Sequence, residues 1–316
     1  MKKKIIFILI ALLMVLSLFI GCIEYKSRDD SIPDDAVKMT PETDLFPPQL
    51  HSDEYETPIP MVGLINTAGA EDSPFIPCCS DKEIFYFFFT PDVKVPVEEQ
   101  ITDGVTGIYV TEKINGDWIE PERVILQDRW KLSLDGCAFV YEDIIWFCTA
   151  RQGYTGLHWF TSEYVNGEWR NWENADFDPE LEVGELHFHN NWTELYYHSS
   201  KDGGKGGTDI WFSRMIDGVW QNPVNVEIVN TESDEGMPYI NSDGNELWFN
   251  RFYLGSPAVY RSIKIDDEWQ EPELIISQFA GEPTLDDEGN IYFVHHYYID
   301  GEMIEADIYV AMKKNI

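Results

Sequence analysis

The sequence predicts an all-β protein assembled from repeated four-stranded units, and three observations predict it. Tryptophans recur at 118, 169, 220 and 269, in steps of 51, 51 and 49 residues, and self-similarity at such a period marks a repeat architecture. The same phrase surrounds each one: a pair ending in an aromatic residue (Ile108-Tyr109, His158-Trp159, Ile210-Trp211, Val259-Tyr260), a short strand, a polar turn, then the tryptophan. Pro121, Pro223 and Pro272 follow three positions later, with Trp172 in that slot of the second phrase. Aromatic residues make up 14% of the 316 residues, a load that suits strands, and no segment sustains a helical period.

The elements follow in chain order. Lys2, Lys3 and Lys4 precede an apolar run over 5–20 and then Gly21-Cys22, the layout of an export signal and shorter than the ~20 residues of a spanning helix. Ile20-Gly21-Cys22 resembles the lipobox of prokaryotic lipoproteins, which implies that residues 1–21 are removed and Cys22 is lipidated as the new N-terminus. The alternative is an ordinary or uncleaved signal with Cys22 incidental. Residues 22–54 are acidic and proline-rich with little apolar periodicity and read as a solvated tether. The formal net charge of −35 excludes a nucleic-acid partner, whose phosphates demand positive charge, and disfavours adsorption to anionic lipid by the protein body.

From residue 55 onward, each phrase is preceded by a hairpin of two apolar-aromatic runs. Asn241-Ser242-Asp243-Gly244-Asn245 and Asp286-Asp287-Glu288-Gly289-Asn290 separate such runs and supply the positive φ of tight turns. Four short strands in about 50 residues make the blade of a β-propeller. Five blades can be counted, at about 72–125, 126–176, 177–227, 228–276 and 277–316. The last lacks its fourth strand: Ile308-Tyr309 lies 49 residues beyond Tyr260, and no tryptophan follows. Tyr55 and Pro58 copy the Trp-x-x-Pro spacing, and 61–65 reads as a continuing strand. Residues 55–68 are therefore expected to complete the fifth blade and shut the ring, removing two free sheet edges. The fold expected for 55–316 is an all-β, five-bladed propeller of antiparallel four-stranded blades closed by an N-terminal strand.

Gly206-Gly207-Thr208-Asp209-Ile210-Trp211-Phe212-Ser213, Gly218-Val219-Trp220, Pro223-Val224-Asn225 and Asn241-Ser242-Asp243-Gly244 resemble the TolB-type WD-like β-propeller repeat. The third and fourth units match best. The second departs most, without Asp before Leu157 or Pro after Trp169. The resemblance spans about 55–316 and implies a rigid binding platform rather than a particular chemistry. TolB itself has six such blades.

Candidate site residues follow from the blade alignment. Asp135, Glu185 and Glu282 fall at one equivalent place before the first strand, with Asp72 and Glu235 within one or two residues of it. Acids ringing a channel would bind a divalent cation or raise one another's pKa; capping strands and bonding neighbouring amides is the structural alternative. Trp130, His187, His189, Trp192, His295 and His296 are expected around them, a mixture suited to stacking on a sugar. Gly281-Glu282-Pro283-Thr284 resembles the acid-bearing segment of five-bladed glycosidases of the arabinanase–levansucrase–invertase class. That resemblance implies hydrolysis by Asp72 or Asp135 with Glu185 and Glu282, but no segment matches the one bearing their base. Cys137 and Cys148 stand on consecutive strands and could form a disulfide; Cys78 and Cys79 are adjacent, and four cysteines allow three pairings. Trp192 also belongs to a lone glycosylation sequon, Asn191-Trp192-Thr193.

The expected function is a lipid-anchored, extracytoplasmic, monomeric propeller that binds an envelope or extracellular protein, or a carbohydrate, with no cofactor required and no catalysis. The alternative is a secreted five-bladed glycoside hydrolase.

Overall fold

The computed structural model describes residues 27–78, 82–128, 131–176, 183–189 and 191–315; Cys22, Cys79 and Trp130 lie outside them. Among the described residues strands dominate, and the two helices, Arg28–Ser31 and Val97–Gln100, have four residues each. The strands fall into five antiparallel units. Their first strands, called inner here, are Ala70–Phe75, Ser133–Tyr141, Val183–His189, Glu235–Ile240 and Ala280–Leu285. Their second strands are Ile84–Thr90, Ile144–Arg151, Glu194–Ser199, Glu246–Tyr253 and Ile291–Ile299. Third strands begin at Gly107, His158, Asp209, Ser256 and Glu302.

The recurrent phrase is a turn device. Asn115-Gly116, Asn166-Gly167, Asp217-Gly218 and Asp266-Asp267 each place two consecutive residues at positive φ, the geometry a two-residue hairpin needs to match strand twist. The tryptophan that follows returns beside the third strand, as Met215 pairs with Trp220 and Lys264 with Trp269. The second strands carry the core. Phe85, Phe87, Phe147, Leu195, Leu247, Phe249, Ile291 and Phe293 are at most 1% exposed, and their apolar faces pack between neighbouring units.

Strict hydrogen-bond pairing yields four sheets, because a single parallel bridge, Ala306 to Ala70, joins the fifth unit to the first in one nine-stranded sheet. By that criterion the five counted units make four sheets, and no sheet closes on itself. The inner strand Ala280–Leu285 nonetheless contacts both Glu235–Ile240 and Ala70–Phe75, and Ser133–Tyr141 contacts Ala70–Phe75 and Val183–His189.

Ile59–Pro60 pairs antiparallel with the last strand, Ile59 opposite Val310 and Pro60 opposite Tyr309. Tyr55 bridges Lys313, and the Met61 amide donates to Ile308 O at 2.9 Å. The strand expected over 61–65 does not form. Instead, the Asn66 side chain takes over: its Nδ2 donates to Ile308 O at 2.9 Å and its Oδ1 accepts from Ile308 N at 3.0 Å. Asn230 does the same to Ile210, at 2.8 Å each way. In both places a Thr follows and a Glu stands five residues after the Asn, with Thr67 bonded to Glu71 and Thr231 to Glu235. The passage from the opening strand into unit one thus repeats the passage from unit three into unit four.

The expectation of a solvated tether fails for residues 27–50. Arg28 is 4% exposed; it ion-pairs with Glu71 at 3.2 Å, donates to Ile65 O at 2.8 Å and lies over Phe87, Phe89 and Tyr109. Arg251 makes the same set inside unit four, with Glu235, Val229 O, Phe249 and Tyr260. Arg151 makes it in unit two with Asp135, Leu126 O, Phe147 and Phe160. Unit one has Phe89 where unit four has Arg251, each opposite the buried glutamate, so the guanidinium is supplied from upstream. Lys38 ion-pairs with Glu305 and Asp307, Met39 enters a core cluster, and Gln49–Leu50 adds an outer strand to unit four. Composition alone could not reveal these preformed partners.

Candidate functional site

Every inner strand carries a register irregularity at the same place: between Asp72 and Phe75, Gly136 and Phe139, Val183 and Leu186, Gly236 and Tyr239, Gly281 and Thr284. A bulge re-aims side chains, and Ser73, Cys137, Met237 and Glu282 there hold left-handed φ values of 47° to 53°, an uncommon conformation for non-glycine residues. Glu185 occupies the matching position of unit three. These five residues line a cavity of about 40 Å³ between the inner strands, room for about three waters.

Second-strand side chains hold the bulges across the unit boundaries. The Met237 amide donates to His198 Nδ1 at 3.1 Å, and the Glu282 amide to Asn250 Oδ1 at 2.9 Å. In units two to five a glycine precedes the bulge, and in units three and five it makes room: a Cβ on Gly281 would stand 2.8 Å from Asn250 Nδ2, and one on Gly184 would collide with the His198 ring. Unit five has Val294 at the His198 and Asn250 position, with no acceptor to offer. There the Glu282 carboxylate itself accepts from the Ser73 amide, at 2.6 Å.

The five acids expected in one ring separate into two sets. Glu185 and Glu282 line the cavity, and Asp72 sits beside Glu282. Burial, then the Glu282 charge, pushes both Asp72 and Glu185 well above the usual carboxyl range. Burial also raises Glu282, against the opposing pull of its Ser73 bonds. These carboxyls are partly open to the cavity yet walled in by protein, so desolvation dominates. Asp135 is not equivalent to Glu185 and Glu282: it lies two residues before the bulge, pairs with Arg151 at 3.2 Å and accepts from Thr149 Oγ1 at 2.6 Å. Glu235, fully buried, is likewise taken by Arg251 and Thr231. Both brace the inner strands and do not line the cavity.

His187 belongs to the site. Its Nδ1 is buried without a partner, burial lowers its pKa to about 3, and its ring lies 4.8 Å from Phe139 and 4.5 Å from Tyr239. Phe75, His187 and Tyr239 form a wall shared with a larger groove of about 460 Å³ at the far ends of the inner strands. Phe139, Tyr141 and Trp192 line that groove together with Asn191, Asn241, Ser242 and Asp243. Trp192 stands edge-on to Phe139 and Tyr141, 5.4 Å from each, and Tyr141 Oη donates to Asn191 Oδ1 at 2.9 Å. His189 is occupied by Glu194 and Ser242 O, so it forms no metal pair with His187. His295 is elsewhere, wholly buried with Nε2 2.8 Å from Asp44; His296, its ring turned to Phe279 O, also lies off the groove. Among the described residues no group of three or more His, Cys, Asp or Glu is arranged to hold a metal ion. Tyr141, Tyr239 and Asp243 escaped the sequence reading as site residues because strand ends and hairpin turns look alike until those of several units converge.

No protein-family model and no curated protein matches the chain. Among solved structures it is similar to an endo-arabinase from Bacteroides thetaiotaomicron, at 16% identity and a TM-score of 0.51 over 81% of this chain and 98% of that one. TolB from Acinetobacter baumannii is also similar, at 9% identity and a TM-score of 0.45 over 80% and 56%. The fold is propeller-like. The arabinase overlay supports that statement, and at such identity it extends to the fold alone.

Proposed function

We propose that this chain is a five-bladed β-propeller of TolB-like repeat type, carried outside the cytoplasm on a lipidated Cys22, that binds a carbohydrate in its aromatic groove and catalyses nothing. The blade count and ring closure are supported by the mutual contacts of the five inner strands, by the cavity they share and by the pairing of Ile59–Pro60 with the last strand. The export signal and Gly21-Cys22 support the address.

One observation carries the binding reading: carboxylates and groove are separate. Glycoside hydrolysis needs two carboxyls flanking one bond. The groove, which has the size of a small-molecule site, has Asp243 as its one carboxylate among the described lining residues. The clustered acids line a cavity with room for only a few waters. What the groove does offer is Trp192 and Tyr141 for stacking on a sugar face, with amides and hydroxyls beside them for its hydroxyl groups. Titration calorimetry of the chain from residue 27 onward against a panel of plant and bacterial polysaccharide fragments should find a binder. Trp192→Ala and the exposed-turn variant Asp243→Ala should each weaken it by about tenfold or more, ~1.4 kcal/mol. A panel without a binder, or a binder indifferent to both changes, would refute the reading and leave a protein partner as the ligand class.

The raised pKa of Glu185 favours a second reading, since a carboxyl kept protonated is what a glycosidase acid requires. On the binding reading, Glu185→Gln and Glu282→Gln leave polysaccharide turnover at its blank rate, the same as the unaltered protein. Turnover present in the parent and lost in both would establish the hydrolase.

A further inference from the structure

Cys148 lies opposite Gly136 in the register of unit two, and Cys137 is the next residue, turned by its left-handed φ of 53°. Strands ~4.8 Å apart leave these Cα atoms inside the about 7 Å beyond which no disulfide forms. Cys148 is near enough to push the Cys137 thiol upward, and Cys137 Sγ donates to Glu185 Oε1 at 3.5 Å. Both cysteines are reduced here and partly accessible. The same second-strand position in units three and four carries His198 and Asn250, which reach across to the next unit's bulge.

We propose that Cys137 and Cys148 form a redox pair that closes to a cross-strand disulfide, and that closure withdraws from Glu185 the hydrogen bond it receives from Cys137. The oxidant is a small disulfide. One thiolate of the pair attacks a sulfur of that molecule and expels a thiolate; the second then attacks the mixed disulfide and expels the other. Two electrons pass to the small disulfide, and the two thiol protons go to the expelled thiolates. An oxidising compartment favours the closed form. The groups that face Glu185 are Glu282, Asp72, Cys137 and Cys148. Of these only the two thiols change on oxidation. The bond from Cys137 favours the ionised carboxylate and outweighs the smaller opposing effect of Cys148, so the loss of both moves the Glu185 titration upward. The pair would act this way whatever ligand the groove takes.

The test uses the whole chain, reduced, then treated with oxidised glutathione, alkylated and digested with trypsin. No Lys or Arg lies between the cysteines, so residues 132–151 form one peptide carrying both. The expected product is this peptide unalkylated and lighter by two hydrogens than its dithiol form. Recovery of the peptide with two alkyl groups, with glutathione attached, or joined to another cysteine overturns the pairing. The coupling is read separately by carboxyl carbon NMR, with the Glu185 signal assigned by its loss in Glu185→Gln. An upward shift of the midpoint on oxidation, absent in Cys148→Ser treated alike, is expected. An unchanged midpoint in the parent overturns the coupling even if the disulfide forms, and the comparison within the parent suffices should Cys148→Ser fail to fold.

Discussion

Glu282 and Glu185 occupy matching positions with different duties. Glu282 supplies the acceptor that Val294 cannot, holding the Ser73 amide, whereas Glu185 accepts a weak thiol bond from Cys137. At this scale the buried imidazoles carry one part of the pH response. Burial lowers His187 to about 3 and His198 and His296 to about 4, below the ~6.5 of an unfolded histidine. The unfolded chain therefore binds more protons between those values. The stability these residues contribute is complete above pH ~6.5 and is lost as pH falls toward 4, by up to about 1.4 kcal/mol per pH unit for each. The raised Asp72, Glu185 and Glu282 carboxyls hold extra protons in the folded chain and oppose this fall. Chemical denaturation at several pH values should therefore isolate the imidazole part by difference: His198→Gln should change the slope from the parent's by one proton. An equal slope in the variant would place the acid sensitivity elsewhere.

At the scale of elements, the segment 27–50 is a strap completing two units. Arg28→Ala would leave Glu71 buried beside Thr67 without its cation, and removing one partner of a buried pair costs about 3–5 kcal/mol. Denaturant midpoints should report a loss of that size, and Arg28→Ala combined with Glu71→Gln should recover part of it. If Arg28→Ala is silent, the strap is an ornament on a complete propeller. The equivalence of Arg28 with Arg251 was invisible in sequence, since 43 residues separate Arg28 from Glu71 and 16 separate Arg251 from its own glutamate. The Asn66-Thr67 and Asn230-Thr231 repeats were legible but too short to notice without their partners.

For the whole molecule, the last strand, Glu302–Ala311, is protected by Ile59–Pro60 and Asn66. A chain beginning after residue 66 should expose it as a free edge, and such edges pair with other chains. Light scattering should then find a larger assembly than for the intact protein measured alongside. A truncated chain no larger in assembly than the parent would mean that the last strand does not depend on the opening strand for protection. The groove and the acid-lined cavity belong to this scale too. No unit contains either of them, and each arises only where four or five inner strands converge.

The period of 51 residues, the paired positive-φ turns and the aromatic second strands were determined by local sequence, because strand alternation and turn chemistry are short-range properties. The split fifth unit was legible for the same reason, since its missing strand leaves a gap in a regular count. Which acids face the cavity was decided only by the tertiary structure. A shift of two residues moves a carboxylate from the cavity to an arginine in the neighbouring slot. Asp135 and Glu185 stand two residues apart in register, and the bulge that separates their fates is held by side chains from adjacent units.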